Sequence, residues 1–127
     1  MGHVLYLDDE QALVFLLSHA LEHLGHRVSG FTSAPEALEA FREYPQDFDL
    51  VLTDMSMYGM SGLEFAQQIL RIEPRAMVII ATGCEDPNWA DHARASGVRE
   101  VIEKPTTIDA MAKAVSSLLV GRTGRDR

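Results

Sequence analysis

Asp49-Leu50-Val51-Leu52-Thr53-Asp54 is the stretch that decides how this chain folds. A short apolar run of this kind reads as a buried strand, and here it ends on a carboxylate. Three other runs behave in the same way. His3-Val4-Leu5-Tyr6-Leu7 leads into Asp8-Asp9, and Met77-Val78-Ile79-Ile80-Ala81 leads into Thr82. The run from Val98 to Glu103, which contains Val101-Ile102, leads into Lys104-Pro105. Segments with helical periodicity lie between them. Strands alternating with helices build a doubly wound α/β fold, a parallel sheet with helices on both faces. All strand C-termini of such a sheet lie along one edge, where ligands bind. Three carboxylates, a hydroxyl and an ammonium that are scattered in sequence are therefore expected to meet in one place.

The intervening segments support this reading. Leu13, Leu17, Ala20, Leu21 and Leu24 are spaced for a first helix, and Gly25 stands where a capping glycine belongs. Arg27 to Phe31 reads as a short second strand. Ser33 and Glu36 have the spacing of a capping box, with Pro35 in the first turn of a helix that buries Ala37, Leu38 and Phe41. The loop from Met55 to Gly62 contains two glycines. Leu63, Ala66, Ile69 and Leu70 mark the third helix, which Pro74 stops. A fourth, weaker helix spans about Asn88 to Ser96 and ends at Gly97. Ile108, Met111, Ala112, Val115 and Leu119 give the last helix a clear apolar face. The expectation is five parallel strands and five helices, with no internal repeat.

The 127 residues suit one domain. We expect residues 1–120 to form the folded unit. Residues 121–127, with three arginines among Gly and Thr, are expected to be a flexible tail or linker stub. Hydrophobic residues at 46% and charged residues at 24% fit a soluble globular protein. The net charge of −8 argues against non-specific nucleic-acid binding, which depends on cationic side chains, so no direct nucleic-acid contact is expected. No apolar stretch approaches the ~20 residues that cross a bilayer, and no signal-peptide pattern opens the chain. No membrane contact is expected. The single cysteine, Cys84, cannot form an internal disulfide, which fits a reducing cytoplasm.

Asp8, Asp9 and Asp54 brought within a few ångströms would repel one another, and Lys104 offsets only one charge. A hard divalent cation relieves the remainder. Mg²⁺ prefers oxygen ligands and typically uses one or two carboxylates together with a phosphate. A carboxylate also acts as a nucleophile toward a phosphoryl group, giving an aspartyl phosphate. Such transfer is catalysed by positioning and by neutralising charge on the phosphoryl oxygens. The Thr82 hydroxyl and the Lys104 ammonium suit that task, and Asp54, central on the edge, is the expected acceptor. Each residue alone has a bland explanation as a turn former, helix cap or surface charge. The ordered set, each member following an apolar run, does not.

This set resembles the receiver domains of two-component response regulators, over nearly the whole chain from Val4 to about Leu119. The resemblance is carried by Leu7-Asp8-Asp9-Glu10, by the acceptor stretch ending at Asp54 with its Gly59-Met60-Ser61-Gly62 loop, by Thr82 and by Lys104-Pro105. It implies a flavodoxin-like three-layer sandwich. It also implies phosphoryl transfer to Asp54 from a histidine kinase or histidine phosphotransfer protein, in a signalling domain that assists its own phosphorylation and dephosphorylation rather than a conventional enzyme. By the same resemblance Asp9 binds Mg²⁺ directly, Asp8 acts largely through water, and the Ser56 carbonyl adds a ligand. Thr82 and Lys104 grip the phosphoryl oxygens, and Pro105 follows a cis peptide bond. Ser56 and Cys84 stand where family members influence access of water to the phosphoryl group. A weak homodimer is left open.

Two departures stand out. Tyr58 occupies a place often held by proline. Val101 stands where an aromatic usually sits, which removes the ring of the family's threonine–aromatic switch. The stretches Ile69 to Pro74 and Gly97 to Val101 look like receivers at the C-termini of hybrid sensor kinases, which implies a phosphorelay element. The alternatives are a receiver-like interaction module that no longer takes phosphate, and a magnesium-dependent phosphohydrolase. The second needs another Asp where Ser56 stands. Trp89 reads as a packing residue. The five histidines show no metal spacing, and His19, His23 and His26 are expected on or just beyond the exposed face of the first helix.

Overall fold

The computed structural model describes residues 2–83, 87–104 and 107–125, with backbone alone for residues 87, 89 and 121–125. Expectations attached to Cys84, to the Trp89 side chain and to the Lys104–Pro105 bond fall outside the described residues. Strands and helices alternate as β1 (His3–Leu7), α1 (Gln11–His23), β2 (Arg27–Phe31), α2 (Ala34–Glu43), β3 (Leu50–Asp54), α3 (Gly62–Ile72), β4 (Val78–Thr82), α4 (Pro87–Ala95), β5 (Glu100–Glu103) and α5 (Ile108–Arg125). A single 3-10 turn at Pro45–Asp47 precedes β3. Helix α5 continues past Val120, where the sequence reading begins a tail, although its last buried side chain among the described residues is Leu119.

All strand pairs are parallel, in the order β2-β1-β3-β4-β5. The chain winds outward from β1 to β2, then returns past β1 to β3. The reversal lies between β1 and β3, which is where α/β sheets of this order bind ligands. Side chains alternate between faces along each strand. Val4, Tyr6, Leu50, Leu52 and Ile79 pack with α1 and α5. Leu5, Leu7, Val51, Val78 and Ile80 pack with α2, α3 and α4. Both faces are covered, which is why these strands read as unbroken apolar runs.

Turn chemistry fixes where helices stop and start. At the end of α1, Gly25 has φ 97°, a backbone region that disfavours side chains. The Gly25 and His26 N–H groups donate to the Glu22 and Leu21 carbonyls, closing a Schellman motif. At α2, Ser33 Oγ accepts from the Glu36 N–H at 3.4 Å. A complete capping box forms at α3, where Ser61 and Glu64 satisfy each other's backbone N–H groups.

The turn at Gly25 also corrects one expectation. His19 and His23 are exposed, but His26 is only 5% exposed. Its Nδ1 accepts from the Gly2 N–H at 3.2 Å, and its Nε2 lies 2.8 Å from Ser116 Oγ on α5. The Schellman turn folds the chain back beneath α1 and carries the ring between β1 and α5. Burial lowers the His26 pKa below its ordinary value of 6.5. The folded state then binds fewer protons than the unfolded state as pH falls through 6.5, so stability is lost on acidification. Urea melts at pH 7.5 and 5.5 should show a loss that is smaller in His26→Gln, whose amide can imitate the neutral ring. An equal loss in both proteins would assign the acid sensitivity elsewhere.

Candidate functional site

The register sets the site. Leu7 pairs with Thr53, Asp54 with Ala81, and Thr82 with Glu103. Asp8, Asp54, Thr82 and Lys104 therefore lie at neighbouring strand ends. One ligand oxygen from each of Asp8, Asp9 and Asp54 lies within 4.8 Å of the other two. Asp8 and Asp54 are buried and Asp9 is exposed. This convergence was legible in the sequence. The donor set, three carboxylates and no sulfur or imidazole, suits a hard divalent cation.

Lys104 Nζ pairs with Asp54 Oδ1 at 2.5 Å. Burial pushes the Asp54 carboxyl above the usual carboxylate range, and the charges of Asp8 and Asp9 push the same way. Lys104 opposes the shift without reversing it. On the lysine, burial favours loss of the proton. Its hydrogen bond and charge interaction with Asp54, aided by Asp8 and Glu10, outweigh that and hold it above its ordinary value. The site thus carries more negative charge than its one lysine neutralises.

Asp8 has a donor on each oxygen. Tyr6 Oη–H donates to Oδ2 at 3.0 Å, and the Glu10 N–H donates to Oδ1 at 3.0 Å. Burial, then the charge of Asp8 and its hydrogen bond, push the Tyr6 phenol far up, so it remains a donor. Asp9 Oδ2 accepts from the Tyr58 N–H at 3.0 Å. A proline at this place would have no such N–H. The departure at Tyr58 therefore gives Asp9 a backbone partner, while the Tyr58 ring is 97% exposed.

The loop after Asp54 is held against the strand end. The Met55 N–H donates to the Ala81 carbonyl at 3.0 Å, and the Gly62 N–H donates to the Met55 carbonyl at 2.8 Å. A Cβ at Gly62 would overlap the Asp54 carbonyl oxygen and lie 2.9 Å from Met55 Cα. Only glycine lets α3 begin so close to the acceptor strand. Thr82 is buried at the end of β4, and its carbonyl accepts from the Lys104 N–H at 2.8 Å. Ser56 is exposed in the loop after Asp54. Val101 is half-buried and packs against the core on the α2, α3 and α4 face.

Tyr6 is inconspicuous in the sequence because a tyrosine within an apolar run reads as core. The usable signal was its spacing, two residues before Asp8 and hence on the same face of β1. Tyr6, Asp8, Asp54 and Lys104 line one cavity of about 220 Å³, walled also by apolar side chains of α1 and α5.

Comparison with known proteins agrees with this geometry. Residues 4–116 match the family model of the response regulator receiver domain. The chain is 32% identical over 120 residues to the virulence sensor protein BvgS of Bordetella pertussis, covering 89% of this chain and 10% of that protein. It is 34% identical over 112 residues to the C4-dicarboxylate transport transcriptional regulatory protein DctD of Rhizobium meliloti, covering 87% of this chain and 24% of that one. The chain therefore spans between a tenth and a quarter of these relatives' lengths. Among solved structures, a response regulator receiver domain protein from Clostridium thermocellum superposes with a TM-score of 0.86 at 31% identity, over 100% of both chains. The chemotaxis protein CheY4 of Vibrio cholerae, at 24% identity, shares the fold with a TM-score of 0.81 over 92% of this chain and 98% of that one. With the sheet order, the acidic edge and these matches in agreement, the chain belongs to the response regulator receiver domain family of two-component signalling.

Proposed function

We propose that Asp54 accepts a phosphoryl group from a phosphohistidine donor, with Mg²⁺ held by Asp9 and Asp54 directly, by Asp8 through water, and by the Ser56 carbonyl. The observation that carries this reading is the meeting of three carboxylates within 4.8 Å around one lysine. A carboxylate oxygen of Asp54 attacks phosphorus, the P–N bond to the donor imidazole breaks, and the imidazole leaves. Mg²⁺ bound there would supply charge neutralisation at the phosphoryl oxygens. Lys104 leaves its pairing with the resting Asp54 carboxylate to neutralise one of those oxygens, and the Thr82 hydroxyl donates to another. The Gly62 contact keeps the acceptor loop packed close to the strand end.

The donor is a histidine kinase or a histidine phosphotransfer protein. Phe15 and Leu16, exposed on the first two turns of α1, and the exposed Tyr58 ring give it an apolar rim to dock against. Residues 1–120 act as the signalling unit and 121–127 as its tail or linker stub. No helix among the described residues is long and apolar enough to cross a membrane. The domain works in the cytoplasm, the reducing compartment that its single cysteine suits. Its role is that of a phosphoacceptor rather than an enzyme with a separate substrate.

Three outcomes test this reading. Incubation with acetyl phosphate and Mg²⁺ should add about 80 Da, in the hydroxylamine-sensitive form of an acyl phosphate. Asp54→Asn should abolish the adduct, and undiminished labelling in that variant would defeat the assignment. Mg²⁺ at a hundredfold excess over its Kd should stabilise the fold by about 2.7 kcal/mol. Asp9→Ala should lose most of that gain, and an identical thermal shift in both proteins would place the metal elsewhere. Lys104→Ala should keep Mg²⁺ binding but bind beryllofluoride, a phosphoryl mimic, roughly ten- to a hundredfold more weakly, since a charge-assisted hydrogen bond is worth about 1.5–3 kcal/mol. Unchanged beryllofluoride affinity would reduce Lys104 to a bystander.

A further inference from the structure

We propose that Tyr6 is a positioning residue of the metal centre, whose hydroxyl holds Asp8 in the pose that accepts metal-bound water. The inference rests on the Mg²⁺ reading above and concerns a residue outside the acidic set.

The alternation of β1 sends Tyr6 and Asp8 to the same face. The ring is 5% exposed and packs among Leu17, Leu52 and Met111. Its burial in the core directs the hydroxyl to Asp8 Oδ2. The Glu10 N–H occupies the other oxygen. A carboxylate oxygen accepts about two hydrogen bonds. Each Asp8 oxygen therefore keeps one acceptor position, which the O–H of a metal-bound water can fill. The cavity shared by Tyr6, Asp8, Asp54 and Lys104, about 220 Å³, has room for such waters, each of which takes roughly 30 Å³ in the liquid. Mg²⁺ gives up its water reluctantly and is bound best by sites that accept it partly hydrated. Partners that orient a ligand from behind are typically worth about ten- to a hundredfold in metal affinity.

Tyr6→Phe keeps the ring and its packing and removes only the donor. Calorimetric titration of the purified chain with Mg²⁺ should give a Kd about tenfold weaker than wild type. Acetyl phosphate labelling of Asp54 should fall by a similar factor at limiting Mg²⁺ and return to the wild-type rate at saturating Mg²⁺. That split separates a metal-positioning role from damage to the acceptor. In an Asp8→Asn background, Tyr6→Phe should change the Kd by less than about twofold, because Tyr6 acts through the Asp8 carboxylate. A Tyr6→Phe Kd within about twofold of wild type would overturn the proposal. So would a tenfold loss that persists undiminished in the Asp8→Asn background, since that would place the effect in core packing. A wild-type chain that gives no Mg²⁺ heat, with or without beryllofluoride, would overturn the metal reading and this inference with it.

Discussion

Mutual repulsion among Asp8, Asp9 and Asp54 is the constraint around which this domain is organised. Two unit charges 4.8 Å apart repel by about 3.5 kcal/mol at an effective dielectric constant near 20. The crowding therefore opposes folding by an amount comparable to a good part of a small domain's net stability. The fold tolerates it through specific partners. Lys104 pairs with Asp54, Tyr6 and Glu10 serve Asp8, and the Tyr58 N–H serves Asp9. Each partner comes from a different place: the end of β5, the interior of β1, the start of α1 and the loop after β3. The core that buries both faces of the sheet is what keeps these separate supports in register.

That arrangement also separates rigidity from responsiveness. Asp8 and Asp54 lie at the buried strand ends, and Gly62 locks the acceptor loop at its far side. Asp9 is exposed, and its partner is the backbone of an exposed loop residue. A change of charge at Asp9 therefore bears directly on the backbone of Tyr58, through that hydrogen bond. Val101, which packs on the opposite face from Tyr6, has no ring to swing and contributes a stiff β-branched wall beside β4.

Much of this was legible in the sequence for a simple reason. In a parallel sheet buried on both faces, strands read as apolar runs, and the residue that ends each run falls on the ligand edge. Asp8-Asp9, Asp54, Thr82 and Lys104 all terminate such runs, so the strand pattern alone located them. The supporting contacts were hidden because they depend on packing or backbone. Tyr6 looks like one more core residue until the face it shares with Asp8 is considered. The Tyr58 contact uses a main-chain N–H that every residue except proline carries. The burial of His26 required knowing that α5 crosses over the turn at Gly25, a contact between residues 26 and 116 that no local pattern announces. The complete capping box, Ser61–Glu64, spans the junction between the loop that ends at Gly62 and the third helix, and this is what lets α3 begin promptly after the acceptor strand.

The two outer strands have a consequence for how copies of the molecule meet. A sheet edge offers unpaired N–H and C=O groups, and long flat apolar edges recruit other chains. Here the outer strands are short. Strand β2 opens with Arg27 and is interrupted by Gly30, and β5 begins and ends with Glu100 and Glu103. One border is marked by a cation and the other by two anions, and neither is apolar along its length. Strand-to-strand growth is thus disfavoured on both sides, which leaves helical surfaces as the faces through which this domain can associate with its neighbours without polymerising.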